Sequence, residues 1–344
     1  MAEHLREQAG GCEQFGSPMY SQLLDRLADD VGSGGVTAAV LAPYEGVASE
    51  QVVPLRLLGA LHRLVLERRA PALAVHYPSV GGTFAGAAAA WPVLAAVLER
   101  EPTVLRELMQ HVPQTNEVGR SAALAGVLRH VAARNGPDIR LVELGASAGL
   151  NLAVDRFRVE GVGVPWGPAD SPVRLTGAWR GASGPDVPVR ITGREGVDLH
   201  PVDIGTVEGR LLLTSYVWAD QVERFDRLRA ALSVCAASPA IVRRSDAAEA
   251  LDALELADGV TTVVWHSTFW HYLPASSQDR IRARLAALAS AATATAGFAY
   301  ARLEPGDNRG AGADFEVRLA IAPDPETVLG TAPAHGVPVT WLER

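Results

Sequence analysis

The fold of this chain is decided by the run Leu141-Val142-Glu143-Leu144-Gly145-Ala146-Ser147-Ala148-Gly149-Leu150-Asn151-Leu152. The run opens with the apolar residues of a buried parallel strand, becomes small and flexible, and then predicts a helix from about Gly149 to Phe157. A strand that leads through a glycine turn into a helix is typical of nucleotide sites in open α/β sheets. Gly145 permits a tight turn and Gly149 permits close packing of helix on strand, so the missing side chains leave room for a ligand against bare backbone.

The glycine spacing differs from the dinucleotide fingerprint Gly-x-Gly-x-x-Gly, because Gly145 and Gly149 are four residues apart. Glu143 precedes the first glycine by two residues. A carboxylate at this strand end favours a cationic ligand group, whereas a phosphate would favour amides and cations. The alternative interpretation is a buried strand-to-helix turn that binds nothing.

Composition limits the domain count and the partners. The chain has 344 residues, of which 48% are hydrophobic and 20% charged, so about two domains with a large core are expected. The net charge of −8 provides no basic field for a nucleic-acid backbone. Cys12 and Cys235 form neither a disulfide framework nor a zinc motif. We expect a bacterial, cytoplasmic protein with a small-molecule substrate, no metal and no nucleic-acid or membrane partner; a homodimer is permitted.

Residues 1–113 predict an all-helical domain that packs on the rest of the chain as a cap. Apolar residues recur there at helical spacing without strand alternation. The predicted helices occupy 19–27, 53–66, 85–100 and 104–110. A fifth helix, 121–133, follows a polar segment in which Thr115 or Asn116 is placed to cap it. Glu117 and Arg120 share a face there, and either pair with each other or address a zwitterionic ligand.

Strands and helices alternate from residue 138 onward, which predicts a mostly parallel sheet. The predicted strands are 139–144, 187–191, 240–247, 260–265 and 297–303, followed by two closing antiparallel strands at 315–321 and 337–342. The insertion 158–186 predicts a β-hairpin. Asp198 follows the second strand, where a carboxylate suits the hydroxyls of a ribose. Asp203 is the fallback for that role, and a simple turn or cap is the alternative for Asp198.

A polar and aromatic loop follows the fourth strand. His266 is the candidate base there, with Ser267 beside it, although a buried core histidine is the alternative. Trp270 or Tyr272 offers a ring face to a cation. Tyr216 belongs to another aromatic stretch, 211–221, which either contacts substrate or fills the core.

The pattern Glu143-x-Gly145-x-x-x-Gly149 resembles motif I of the class I S-adenosylmethionine (SAM) methyltransferases, with Ser147 where that family usually has a middle glycine. Gly196-Val197-Asp198 resembles their motif II. The whole chain also resembles an actinobacterial family of methyltransferase-like proteins, through the segments Gln114 to Arg120, Glu143 to Leu152 and His266 to Leu273.

The resemblance implies an α/β fold, with a Rossmann-like methyltransferase sheet of about seven strands in residues 114–344 and the helical cap before it. It implies SAM as the cofactor, with Asp246 at the adenine amine. The implied SAM contacts are Glu143, Gly145, Ser147, Gly149, Asn151, Asp198, Asp246, Gln114, Asn116, Glu117 and Arg120. The implied catalytic residues are His266, Ser267, Tyr216, Trp270 and Tyr272.

Three functions are compatible with this resemblance. The first is methyl transfer to a small-molecule acceptor held at near-attack distance. The second is cyclisation of SAM to a small-ring amino acid, 1-aminocyclopropane-1-carboxylate or azetidine-2-carboxylate, with release of methylthioadenosine. The third is a SAM-binding protein without catalysis. Methyl transfer is the leading expectation because it is the common activity of the family.

Overall fold

The computed structural model describes residues 1–48, 51–306 and 315–343. Its α-helices are α1 (Ala2–Gln14), α2 (Pro18–Gly32), α3 (Val36–Leu41), α4 (Val53–Leu66), α5 (Pro71–Ala74), α6 (Ala87–Arg100), α7 (Pro102–Leu108), α8 (Ser121–Asn135), α9 (Val207–Ser215), α10 (Val222–Ala236), α11 (Ala247–Asp252) and α12 (Ala275–Ala291). Its strands are β1 (Asp138–Leu144), β2 (Arg158–Gly161), β3 (Arg174–Arg180), β4 (Arg190–Asp198), β5 (Ile241–Arg244), β6 (Val260–Ser267), β7 (Ala296–Pro305), β8 (Phe315–Ile321), β9 (Thr327–Ala332) and β10 (Val339–Trp341).

The chain forms two compact units. The first combines Met1–Thr115 with Thr206–Asp226, and the second combines Asn116–Gly205 with Arg227–Arg344. The first unit is helical, and α9 therefore belongs to it although α9 is distant in sequence from the other helices.

The helix α2 illustrates how the first unit is built. Ser17 caps its N-terminus by accepting a hydrogen bond from the Tyr20 amide at 3.3 Å. Pro18 fits the first turn because an amide N–H at that position would have no partner within the helix. Asp220 from the late segment binds the same end, accepting from the Ser17 hydroxyl at 2.6 Å and from the Met19 amide at 3.0 Å. The segment Thr206–Asp226 thus binds the first helices through partly buried polar contacts as well as by packing.

In the second unit, the ten strands that the structure describes form one sheet in the order β2-β3-β10-β9-β8-β7-β6-β1-β4-β5. Five neighbours, β5, β4, β1, β6 and β7, pair in parallel. In chain order they are the third, second, first, fourth and fifth of the set, which is the order of doubly wound sheets. The chain changes its direction across the sheet at β1, and ligands bind in the crevice outside the carboxyl ends of the strands at such a point.

Alternate residues of β1 supply two separate cores. Ile139 and Leu141 pack in a cluster with α8, whereas Val142 and Leu144 pack in a cluster with α11 and α12. Both faces of this strand are therefore covered, which explains its continuous apolar sequence.

The mixed α/β class is confirmed, but the prediction of about seven strands is wrong. The three additional strands are β2 and β3, which come from the insertion, and β9. Of the hairpin predicted in 158–186, the structure has one antiparallel bridge, between Val159 and Trp166. The strands themselves are parallel, β2 to β3 and β3 to β10. Two indole nitrogens anchor these strands, with Trp166 donating to the Val154 carbonyl at 2.8 Å and Trp179 to the Ala122 carbonyl at 2.9 Å. The local sequence does not reveal such distant partners.

Candidate functional site

The loop after β1 has the backbone conformation that its glycines permit. Gly145 and Gly149 have φ values of +67° and +71°, and Ser147 lies between them at +53°. Positive φ is unstrained only for glycine, so Ser147 is held in an uncommon conformation. The helix predicted from Gly149 to Phe157 is present as 3-10 turns at Leu150–Arg156, and non-helical dihedrals at Ala153 interrupt them.

Asn116 caps these turns, since its side-chain oxygen accepts a hydrogen bond from the Leu150 amide at 2.9 Å. The sequence predicted Asn116 or Thr115 as a cap for the following helix. Instead, α8 begins at Ser121 without a side-chain cap. Asn116 thereby connects the segment before α8 to the loop after β1.

Asp198 connects the end of β4 to the same loop. Its Oδ2 accepts from the Ser147 amide and its Oδ1 from the His200 amide, each at 2.8 Å. The carboxylate therefore holds Ser147 in its uncommon conformation. Each oxygen keeps a lone pair for a further hydrogen bond.

Glu143 lies at the end of β1 and is only 2% exposed. Burial raises its pKa to about 8, against the opposing effects of a hydrogen bond from Asn151 and of the nearby Arg120 charge. Asn151 is positioned in turn by Ser121, whose hydroxyl donates to it at 2.7 Å. The Oε2 atom of Glu143 has no hydrogen-bond partner in the described part of the chain. An unpartnered buried acceptor is uncommon in native structures, and an ordered water or a ligand that brings a donor would satisfy it.

Arg120 and Glu117 are both buried. Arg120 donates to the Ala334 carbonyl at 3.1 Å and to the Ser267 carbonyl at 3.5 Å, which joins the segment before α8 to the end of β6. Glu117 accepts from the Gly119 amide at 3.0 Å, and Arg227 lies 3.6 Å from the same carboxylate.

His266 is fully buried at the end of β6, and both of its ring nitrogens are engaged. Nδ1 lies 2.7 Å from Glu304 Oε1, and Nε2 lies 2.7 Å from the Tyr300 hydroxyl. Although burial alone would raise the pKa of Glu304, hydrogen bonds from His266 and from the Phe269 and Trp270 amides lower it. Burial raises the pKa of Tyr300. The lowered pKa makes Glu304 an ionised acceptor for Nδ1–H, and Nε2 shares its hydrogen bond with the Tyr300 hydroxyl.

The segment after β6 is fixed by this same carboxylate. Glu304 Oε1 accepts from the Phe269 amide at 2.9 Å and from the Trp270 amide at 3.3 Å. Thr268, just before them, has φ of +51°, a genuine outlier for a β-branched residue. Such strain persists only where the surroundings enforce it, and it is concentrated at functional sites.

Phe269 and Trp270 lie against different groups. A Cβ built on Gly145 would be 2.4 Å from the Phe269 ring, so this ring fills the space that the glycine leaves. The expectation of open space over Gly145 is thus wrong in this conformation. Trp270 stacks on His266, with ring centroids 5.5 Å apart and planes 19° apart.

The remaining predicted residues are distributed as follows. Asp246 is the N-cap of α11, and its Oδ1 accepts from the Ala248 and Glu249 amides at 2.8 and 3.2 Å. Ser267 is buried at the end of β6, whereas Tyr272 is 61% exposed. Gln114 and Tyr216 belong to the first compact unit, where the Tyr216 hydroxyl donates to the His111 carbonyl at 2.9 Å. The structure therefore brings together the loop after β1, Asp198 and the end of β6 within the second unit.

Sequence reasoning missed Glu304 and Tyr300. Glu304 was visible as an acid near the end of the fifth parallel strand, which borders the strand that carries His266. The pairing of β6 with β7, together with alternation of side chains along β7, was the available signal.

The fold and these side chains define an α/β protein whose buried polar groups gather at the carboxyl ends of neighbouring parallel strands. The chain belongs to the bacterial family described as "Uncharacterized protein conserved in bacteria (DUF2332)", whose model matches residues 2–341. No curated protein and no solved structure matches the chain. The resemblance to methyltransferases remains a prediction, because the family description names no reaction.

None of the described helices has both the length and the apolarity to cross a bilayer. Over residues 1–48, 51–306 and 315–343, no group of three or more His, Cys, Asp or Glu side chains is arranged to hold a metal ion.

Proposed function

We propose that this protein is a SAM-utilising enzyme with a Rossmann-like methyltransferase fold, and that it transfers a methyl group to a small-molecule acceptor. The position of the polar groups supports this proposal. They lie at the carboxyl ends of β1, β4 and β6, beside the point where the strand order reverses.

The observation that carries the proposal is the Oε2 atom of Glu143, which has no hydrogen-bond partner among the described residues. SAM brings an α-ammonium group and a sulfonium, which are a donor and a second positive charge. A buried acceptor without a partner costs about 1–3 kcal/mol, and a cationic donor recovers that free energy. A positive charge beside Glu143 also favours the ionised carboxylate, which burial disfavours.

Asp198 is the proposed ribose ligand. The Ser147 and His200 amides fix its orientation, and the remaining lone pairs accept from two vicinal hydroxyls. Asp246 remains the proposed adenine contact, through the carboxylate oxygen that is not used in capping α11. Phe269 must leave the space over Gly145 before a ligand contacts that backbone.

In this proposal His266 does not contact the substrate. Its two nitrogens are held by Glu304 and Tyr300, so its role is to set the protonation and orientation of those neighbours. SAM supplies an electrophilic methyl group when it is bound, and the chain's own groups position the acceptor and take its proton.

Product analysis by mass spectrometry tests the proposed function. Purified protein is incubated with SAM alone and with SAM plus a bacterial small-molecule extract. We expect adenosylhomocysteine only when the extract is present, together with a methylated compound in equal amount. Methylthioadenosine from SAM alone would replace methyl transfer with the cyclisation reaction. Unchanged SAM in both incubations would contradict catalysis.

A further inference from the structure

A cavity of about 980 Å³ lies in the second unit, beside α12, β7 and the turn after β8. Four alanines keep part of it open, Ala286 and Ala289 on α12 and Ala320 and Ala322 at β8. The volume matches that of small-molecule sites, which are concave and mostly apolar.

Aromatic rings line the same cavity. Trp270, Phe298 and Tyr300 contribute to its wall, and Leu285 adds an aliphatic surface. Rings and small side chains in one cavity favour a flat apolar ligand, because the rings supply area and the alanines leave room for it.

The charged groups around the cavity have partners within the chain. Arg302 makes two hydrogen bonds to Glu326, at 2.7 and 2.8 Å. Arg282 donates to Asp279 at 2.7 Å, and Arg134 donates to Asp324. A charged ligand would have to compete with these pairs, so the lining favours a neutral molecule.

Tyr300 and Glu304, the two partners of the buried His266, also line the cavity. Tyr300 shares one hydrogen bond with His266, and its oxygen has a further lone pair for another donor. Glu304 lines the cavity as well, and its Oε2 has no hydrogen-bond partner among the residues described. The ligand therefore needs a donor group.

We propose that this cavity is a binding site for a neutral aromatic compound whose hydroxyl or amine donates a hydrogen bond to Tyr300. The binding stands independently of SAM, and only the ligand's role as the methyl acceptor rests on the proposed function. That role is supported by the chain itself, since Phe269 lies against Gly145 while the next residue, Trp270, lines the cavity.

The test uses 2-naphthol and 2-methoxynaphthalene as probes, because they share the rings and only the first has a donor. Binding to the full-length protein is measured by fluorescence titration. We expect a dissociation constant below about 1 mM for 2-naphthol, and about fivefold weaker binding of 2-methoxynaphthalene. Equal affinity for the two probes in the wild-type protein would overturn the proposal.

Variants then place the bound probe. Tyr300→Phe is expected to remove the preference for 2-naphthol while leaving 2-methoxynaphthalene binding unchanged. Ala289→Trp fills the cavity and is expected to abolish binding of both probes. Ala287→Trp is the matched control, since Ala287 is exposed on the same helix and does not line the cavity. Binding that survives Ala289→Trp, in protein with wild-type circular dichroism, would overturn the proposal.

A parallel SAM titration separates this proposal from the proposed function. If the wild-type protein binds SAM but not 2-naphthol, the result counts against the cavity site alone. Intact, Ala289-sensitive binding of 2-naphthol without SAM binding supports the cavity and counts against the proposed function alone.

Discussion

Glu143 is buried at the end of β1, and its raised pKa links the stability of the fold to pH. The folded carboxyl has a pKa of about 8, against 4.5 as the reference value. Between these pH values the folded state binds a proton that the unfolded state has released. The free energy of unfolding therefore falls as pH rises from about 4.5 to 8.

Glu143→Gln should remove this contribution, because the amide has no charge to bury. We expect the variant to gain stability relative to the wild-type protein by roughly 1 kcal/mol per pH unit across that window. Urea denaturation at pH 5, 6.5 and 8 measures the difference. Glu223→Gln, at an exposed position of α10, is the control. Parallel pH profiles for wild type and Glu143→Gln would show that Glu143 is ionised in the folded protein.

Asp198 and Asp203 are the two candidates for the ribose contact, and the structure separates them. Asp198 accepts from the His200 amide and, in the loop after β1, from the Ser147 amide. Asp203 accepts from the Gly205 amide at 2.8 Å. Asp198→Ala should raise the dissociation constant for SAM by about 5- to 100-fold. Asp203→Ala should change it less than twofold. Calorimetric titration measures both, and the reverse ranking would assign the ribose to Asp203.

At the residue scale, the sequence indicated Glu143 and Asp198 as candidate site residues because each lies at the end of a recognisable strand. It did not predict that His266 lies between Glu304 and Tyr300. That arrangement depends on the register in which β7 pairs with β6, which no local pattern encodes. Similarly, Asp246 is an N-cap because α11 begins at Ala247, whereas the predicted strand 240–247 extended over both residues.

At the scale of elements, the loop after β1 depends on its glycines. Gly145→Ala meets two obstacles, namely a φ of +67° and a Phe269 ring 2.4 Å from the new Cβ. Gly177 has φ of +60° with nothing within 4 Å, so Gly177→Ala isolates the backbone penalty. We expect Gly177→Ala to cost about 1 kcal/mol and Gly145→Ala at least 1 kcal/mol more.

Thermal denaturation of both variants measures the difference. The double variant Gly145→Ala/Phe269→Ala should recover part of the loss, because it removes the ring that the new Cβ meets. Equal destabilisation by the two single substitutions would show that Phe269 moves aside freely.

Element prediction succeeded where a local pattern suffices. The predicted helix 53–66 coincides with α4, since its leucines recur at helical spacing. At Leu150–Arg156 the prediction placed the helix but gave neither its 3-10 type nor its interruption at Ala153, which no glycine or proline marks. It failed at β9 because Gly330 weakens the strand signal; that glycine is required by the chain beside it, since a Cβ would lie 2.5 Å from the Thr340 carbonyl oxygen.

At the scale of the whole molecule, the composition of the first unit has a testable consequence. Its early helices bind the segment 206–226 through buried and partly buried polar contacts. Arg63 donates to Glu208 at 2.5 Å, and His62 Nδ1 lies 3.2 Å from the Ser215 carbonyl oxygen. Asp220 holds the start of α2. A fragment that lacks this segment leaves these buried groups without their partners.

We therefore expect the fragment 1–115 to melt without cooperativity, or at least 10 °C below the full chain. Addition of a peptide with the sequence of residues 206–226 should restore helical signal and raise the midpoint. Circular dichroism during heating measures both effects, and a peptide of scrambled sequence is the control. A fragment that melts like the intact protein would show that the first unit folds without residues 206–226.

The most direct measurement of the central claim is calorimetric titration of SAM into the purified protein at pH 7.5, in phosphate and in Tris. A cation beside Glu143 lowers the pKa of that carboxyl, so binding should release a proton and the observed heat should depend on the buffer. We predict saturable binding at one site with proton release in the wild-type protein, and no proton release in Glu143→Gln. Absence of binding, or binding that is indifferent to both Glu143→Gln and Asp198→Ala, would contradict a SAM site at the carboxyl end of β1.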